Sequence, residues 1–227
     1  MSLKKASLFA GIGLLIMTIS WLLSDYLVFQ KLIEPENEAQ TISNIQSNEL
    51  LFRAGIFGLF IVLLCDLIVA WALYFYFKSI SQSISLLVAW FRLVYTVILG
   101  IALLNYTDIL HLIGQADYLS DLNELATEVM LSIDSFQNDW NFGLIFFGFH
   151  LALLGYLFWK SKYKPRIIGL LLMLAGLSYL IDYLGKILSP DFEVTFSLFL
   201  GWGELVFMIW LLIKGVKIPK HSDENII

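Results

Sequence analysis

The chain has 227 residues, of which 59% are hydrophobic and 15% are charged. A soluble globular chain carries about 25% charged residues, and the apolar residues here fall in long blocks rather than at amphipathic spacing. The net charge of −5 is spread over the loops, and the single cysteine, Cys65, excludes an internal disulfide and a cysteine-built metal cluster. The composition therefore excludes an ordinary soluble domain and predicts an integral membrane protein.

Six apolar blocks follow one another along the chain, each long enough to cross a hydrocarbon core of about 30 Å. The predicted spans are residues 6–29, 51–77, 84–104, 142–159, 166–188 and 196–213, all within a single membrane domain covering residues 1–227. The first block exceeds the roughly 7–15 apolar residues of a signal peptide, which predicts a retained helix. The expected fold is all-α, an integral membrane bundle of six transmembrane helices.

A long polar segment, residues 105–141, separates the third and fourth spans. It is too acidic to be a seventh span, since it contains Asp108, Asp117, Asp121, Glu124, Glu128, Asp134 and Asp139. Apolar residues nevertheless recur in it every three or four positions, at Leu119, Leu122, Leu125, Val129, Ile133 and Phe136. This spacing predicts an acidic amphipathic helix in an extracytoplasmic loop. Two roles for it stay open: a lid on the outer mouth of the bundle, or a helix on the lipid surface that only anchors the loop.

The Lys and Arg residues predict the orientation, because they concentrate in cytoplasmic loops. With six spans, one side of the membrane receives Lys4, Lys5, Lys78, Lys160, Lys162, Lys164, Arg166, Lys214, Lys217 and Lys220. Only Lys31, Arg53 and Lys186 lie near the other side. Both termini are therefore expected in the cytoplasm.

Several ionisable residues interrupt the spans. Asp66 and Arg92 lie in the second and third, and His150 and Glu204 lie about 15 Å below the cytoplasmic lysines that follow them. These four form the predicted central polar layer. The predicted outer polar layer consists of Asp25, Arg53, Asp182 and Lys186.

Two interpretations of the central layer stay open. In the first, Arg92 is neutralised by Asp66 or Glu204, and the ion pairs only fix the register of the helices. In the second, the layer lines a polar cavity that binds a small ligand or relays protons, with His150 as a titrating member. One Arg cannot neutralise two carboxylates, which favours the second interpretation slightly.

Several chemistries are disfavoured by what the spans lack. No Lys lies near the middle of a span, which argues against a retinal Schiff base, and a single deep His argues against bis-His haem and three-His zinc sites. No GxSxG, HExxH or phosphate-binding loop occurs. The sequence therefore predicts no catalytic residue, metal or cofactor, and no nucleic-acid partner.

Four stretches carry a family resemblance: LFRAGIFGLF, CDLIVAWALYFYFKSISQSISLLVAWFRLVY, GLIFFGFHLALLGYLFWKSKYKPRIIGLLLMLAGLSYLID and GELVFMIWLLIKG. They resemble a bacterial family of multi-pass membrane proteins known as a domain of unknown function (DUF 4386), and the resemblance extends to about Gly215. Each member of the central layer matches the family pattern. The resemblance implies a location in the bacterial plasma (inner) membrane and no established activity.

The function favoured by these observations is a non-enzymatic helix bundle that binds a small ligand, a lipid or a partner protein, with a buried charge network at its centre. The alternative is a small-molecule or proton-coupled transporter, or an intramembrane enzyme, that uses Asp66, Arg92, His150 and Glu204. The lipid bilayer is the one partner that the sequence itself predicts. Protein partners are not indicated.

Overall fold

The computed structural model describes residues 1–114, 122–161, 165–189, 191–192 and 194–213, and these residues form helices with no strand among them. The helices are α1 (Leu3–Leu32, π-helical over Asp25–Phe29), α2 (Glu38–Ser47), α3 (Glu49–Phe77), α4 (Gln82–Gly114), α5 (Leu122–Lys160), α6 (Ile167–Leu188), α7 (Ser197–Leu200) and α8 (Gly203–Ile213). The all-helical prediction is confirmed for these residues.

Five helices are long and apolar enough to cross a membrane: α1, α3, α4, α6 and the part of α5 from Leu125 onward. They contain the first four predicted spans and, apart from its first residue, the fifth. The sixth, residues 196–213, was expected as one continuous helix, but a turn at Gly201 and Trp202 divides it into α7 and α8. Glycine is a poor helix former, and Gly201 lies in this turn while Gly203 directly follows it. A count of six spans stays a prediction.

The polar segment between the third and fourth spans differs from the expected loop. Instead, α4 continues to Gly114 and α5 begins at Leu122, so the amphipathic segment is the first part of a 39-residue helix. Its apolar face is buried, as the spacing predicts: Leu125, Val129 and Phe136 pack in a cluster with Ile109 of α4. Because burial of that face stabilises the helix, its acidic residues do not end it. Leu119, also part of the predicted pattern, lies outside the described residues.

The chain forms two compact units, each made of segments that are distant in the sequence. The first unit comprises Met1–Leu15, Cys65–Thr96 and Asn141–Ile227, and the second comprises Ile16–Leu64 and Val97–Trp140. An aromatic cluster forms the core of the second unit. The Tyr106 ring stacks on Phe136 with centroids 3.9 Å apart, and Phe29 and Phe52 complete the group.

In the first unit, glycines bring α5 and α6 into backbone contact. A Cβ atom on Gly176 of α6 would lie 2.4 Å from the backbone nitrogen of Ala152 and 2.6 Å from the carbonyl oxygen of Gly148. Gly155 and Gly169 approach each other in the same way, so only hydrogen fits at these positions. Small residues that allow close backbone approach are typical of helix pairs in membranes.

Helix α8 is held against α6 and α1 in the same unit. A Cβ on Gly203, the first residue of α8, would lie 2.6 Å from the carbonyl oxygen of Leu171 in α6. The hydroxyl of Ser7 in α1 donates a hydrogen bond of 2.9 Å to the carbonyl oxygen of Leu211. These contacts fix the position of Glu204, which follows Gly203 in the chain.

Candidate functional site

Arg92 contacts the other three residues of the predicted central layer. Its Nε and Nη2 atoms lie 2.8 and 2.7 Å from Oδ1 of Asp66. Its Nη1 atom lies 2.8 Å from Oε1 of Glu204 and 3.0 Å from Nε2 of His150. We call these four residues the Arg92 cluster. All of them belong to the first unit, so that four helices (α3, α4, α5 and α8) meet at one guanidinium.

The hairpin of α3 and α4 places Asp66 opposite Arg92. The two residues lie at similar distances from the turn between Phe77 and Gln82, and antiparallel helices bring such positions to the same level. The hydroxyl of Ser85 fastens the hairpin by donating a hydrogen bond of 2.9 Å to the carbonyl oxygen of Tyr74. The ion pair thus follows from helix geometry and turn length.

His150 is held in one tautomer by its two partners. Its Nδ1 lies 2.9 Å from the carbonyl oxygen of Val88, which can only accept, so Nδ1 carries the hydrogen. Its Nε2 faces the Arg92 guanidinium, which can only donate, so Nε2 provides the lone pair. His150 is therefore neutral in this arrangement.

Phe147 packs against two members of the cluster. The ring stacks on the His150 imidazole with centroids 5.8 Å apart, and Cζ of Arg92 lies 5.6 Å from the Phe147 centroid. A cation over an aromatic face at this distance is stabilised by the ring quadrupole. Phe147 therefore helps to stabilise the guanidinium charge.

The members of the cluster differ in exposure. The side chains of Asp66 and Arg92 are fully buried, as is His150, whereas the Glu204 side chain is 14% exposed. Oδ2 of Asp66 is buried and has no hydrogen-bond partner within the described part of the chain. The cluster thus has one accepting atom that the protein leaves unsatisfied and one carboxylate that reaches the surface.

The arrangement limits what the cluster can do chemically. Both ring nitrogens of His150 are bonded, so the imidazole has no free lone pair with which to act as a general base. Among the described residues, no group of three or more His, Cys, Asp or Glu side chains could hold a metal ion. The geometry suits a charge lock or a site for a small cationic species better than covalent catalysis.

The four residues of the predicted outer layer have local partners. Oδ1 and Oδ2 of Asp182 accept hydrogen bonds of 2.8 and 2.6 Å from the backbone N–H groups of Phe196 and Ser197, so this buried carboxylate caps α7. The ammonium of Lys186 lies 5.1 Å from the ring centroid of Tyr183. Among the described residues no salt bridge joins Asp182 to Lys186.

The other two members of that layer lie in the second unit, where Arg53 is exposed and Asp25 is partly buried. The Gln30 amide donates to Asp25 over 2.6 Å, and Arg53 pairs with Glu49 over 2.7 Å, one helical turn away. In the described part of the chain, Asp25 and Arg53 do not form an ion pair with each other. These bonds give each residue a role in its own helix rather than in a shared site.

Two contributors to the cluster were not predicted from the sequence. Phe147 could have been found, because it lies three residues before His150 and therefore on the same face of a helix. The Val88 carbonyl could not have been found, since every residue has one and only the packing of α4 on α5 selects it.

Comparisons with known proteins give a family without an activity. The chain matches the family described as "Domain of unknown function (DUF4386)" over residues 9–215. A similar protein of Archaeoglobus fulgidus, described as "Uncharacterized protein", is 34% identical over 166 residues, which are 73% of this chain and 86% of that protein. No solved structure matches the chain. The match includes every member of the Arg92 cluster and nearly all of the described helices. Because it covers most of its length, the chain belongs to the DUF4386 family.

Proposed function

We propose that this protein is a non-enzymatic helix bundle of the bacterial plasma membrane that binds a lipid, a small ligand or a partner protein, and that the Arg92 cluster locks the bundle. In this proposal α1, α3, α4, α5, α6 and the α7–α8 segment make six spans, with both termini in the cytoplasm. The apolar helices and the Lys-rich connections of the sequence support that topology.

One observation carries the proposal: the guanidinium of Arg92 is fully buried and bonded to three other helices. An Arg in the hydrocarbon region is costly unless it is paired inside the protein. Breaking a buried ion pair typically costs about 3–5 kcal/mol, because one charge is left without a partner. An arginine bonded in this way holds helices together, and its full burial keeps it away from a transported substrate.

The sole cysteine offers a test of whether the centre is closed. Cys65 precedes Asp66 and is 7% exposed. In a closed bundle, a water-soluble maleimide should label Cys65 only after the protein is denatured. In a transporter that exposes the cluster to water, Cys65 should be labelled in native membranes.

The control for this labelling is a Cys65→Ala protein with Ser79→Cys, because Ser79 lies exposed in the turn between α3 and α4. Opened membrane vesicles make both faces accessible, so that topology does not affect the comparison. Labelling of Cys65 as fast as that of Ser79→Cys would contradict the closed lock and favour the transporter.

The binding part of the proposal is tested by native mass spectrometry of the protein released from lipid nanodiscs. We expect a bound lipid, small molecule or protein that stays attached when the surrounding lipid is removed. A protein that emerges bare at the gentlest conditions that release it would contradict binding.

A further inference from the structure

The formal charges of the Arg92 cluster do not balance. The Asp66 and Glu204 carboxylates lie 2.7 and 2.8 Å from Arg92, and in the described part of the chain neither is paired with another cation. One positive charge thus faces two negative charges where little or no solvent reaches. An uncompensated charge in such a place is strongly unfavourable, and a protein removes it by binding a proton or a counter-ion.

His150 does not supply the missing charge. A protonated imidazole donates from both nitrogens, but the Nε2 atom lies 3.0 Å from Nη1 of Arg92, which is itself a donor. Two donors facing each other at this distance would repel. The neutral tautomer fixed by the Val88 carbonyl is the one that fits.

A second observation points to the same deficit. Both Nε and Nη2 of Arg92 contact Oδ1 of Asp66, whereas Oδ2 of the same carboxylate is buried without a partner among the described residues. A buried carboxylate oxygen without a donor costs free energy, because it has lost its water. The excess negative charge of Asp66 and Glu204 thus occurs beside an unsatisfied acceptor, Oδ2 of Asp66.

The species that removes the excess charge is a proton. The described residues provide no group of three or more side chains that could hold a metal ion, and both carboxylates lie within hydrogen-bond distance of Arg92. A proton needs no additional space. It adds to one carboxylate oxygen, giving a carboxylic acid, and the cluster becomes neutral.

We propose that the Arg92 cluster is a proton-binding site that holds one proton, carried by the carboxyl group of either Asp66 or Glu204. Glu204 is the entry point, because its side chain is partly exposed and its hydrogen bond to Arg92 is made by Oε1. It also lies in the first turn of α8, next to the break at Gly201 and Trp202. On release, the proton passes from the carboxylic acid to water, and the carboxylate returns.

Other titratable groups around the cluster do not replace this proton. In the described part of the chain, the titratable neighbours of the cluster include a thiol on α3 and two phenols, on α4 and α6: Cys65, Tyr95 and Tyr179. Thiols and phenols are neutral near pH 7. They therefore add no positive charge, and the balance is left to the two carboxyl groups. The proton site does not depend on the proposed function, since either a lock or a transporter could contain it.

Infrared spectroscopy tests the site directly, because a protonated carboxyl group has a C=O stretching band that a carboxylate lacks. We expect this band in the wild-type protein in lipid at neutral pH, in addition to any signal from exposed acids. Glu204→Gln leaves one carboxylate for one guanidinium, so the band should be lost, and Asp66→Asn should abolish it for the same reason. Glu49→Gln, which removes an exposed acid paired with Arg53, should leave the band unchanged.

The wild-type protein alone can overturn the proposal, so a variant that fails to fold does not remove the test. Absence of the band at neutral pH would mean that both acids are ionised, and a band unaffected by both neutral substitutions would assign the proton elsewhere. Transfer to D₂O should shift the band, and a band that does not shift would contradict exchange through Glu204.

Dicyclohexylcarbodiimide, which reacts with protonated carboxyl groups in apolar surroundings, should modify Glu204 in the wild-type protein. The Glu204→Gln protein should not be modified at that position. These results are independent of Cys65 labelling, so the two proposals can fail separately.

Discussion

Replacing Arg92 by Met should destabilise the bundle strongly. The substitution keeps an apolar stem but removes every bond that the guanidinium makes to Asp66, Glu204 and His150. The fully buried Asp66 carboxylate is then left without a counter-charge, which costs about 3–5 kcal/mol as long as it stays ionised. For a soluble chain of this length, each kcal/mol lowers the melting temperature by about 2–4 °C. The expected decrease is therefore about 6–20 °C.

The assay is thermal unfolding of the purified protein in detergent, followed by circular dichroism. Adding Asp66→Asn to Arg92→Met should restore most of the loss, because the orphaned carboxylate is gone. Adding Glu204→Gln should restore less, since Glu204 is partly exposed and can reorient. Arg53→Met, which removes an exposed ion pair, is the matched control and should cost no more than about 1 kcal/mol. An Arg92→Met protein as stable as Arg53→Met would refute the buried network.

Three further predictions concern the packing, the cap and the topology. Gly176→Ala should destabilise the protein by about 1–3 kcal/mol and lower its melting temperature, because the new Cβ would meet backbone atoms of α5. The control is Gly100→Ala, whose Cβ would lie 3.9 Å from a Leu63 side chain and which should be neutral or stabilising. Equal effects of the two substitutions would contradict the close packing. Asp182→Asn should lower the stability by about 1 kcal/mol, because an amide has only one accepting atom for the two N–H groups at the start of α7. Amide hydrogen exchange should then accelerate over residues 196–200. Unchanged exchange in this segment would refute the cap. In a Cys65→Ala background, Lys78→Cys should be protected from an impermeant maleimide in intact cells, and its labelling from outside would reverse the topology.

The sequence predicts the helices better than their ends. Long apolar blocks have one stable form in lipid, where each backbone polar group must be bonded within its own helix. The ends are harder to predict, because the acidic residues between the third and fourth spans resemble a loop. The packing of Phe136 on Tyr106 stabilises helix in that segment, and the sequence gives no direct sign that these two rings meet.

The candidate site divides in a similar way. The positions of Asp66 and Arg92 relative to the polar turn indicate a contact, because helical rise fixes depth. Depth does not specify rotation about the helix axis, so the sequence could not decide between Asp66 and Glu204 as the partner of Arg92, which contacts both. Equal depth also suggested an outer layer, but Asp182 instead caps α7, a role that depends on the chain returning to it after α6.

The tautomer of His150 tests the centre of the bundle most directly, because it depends on α4, α5 and Arg92 together. Solid-state NMR of ¹⁵N-histidine-labelled protein in lipid bilayers, with His111→Gln and His221→Gln to leave one signal, reports which ring nitrogen carries hydrogen. The structure predicts a neutral ring protonated at Nδ1, with Nε2 close to an arginine nitrogen. An imidazolium at neutral pH, or a ring protonated at Nε2, would contradict the Arg92 cluster.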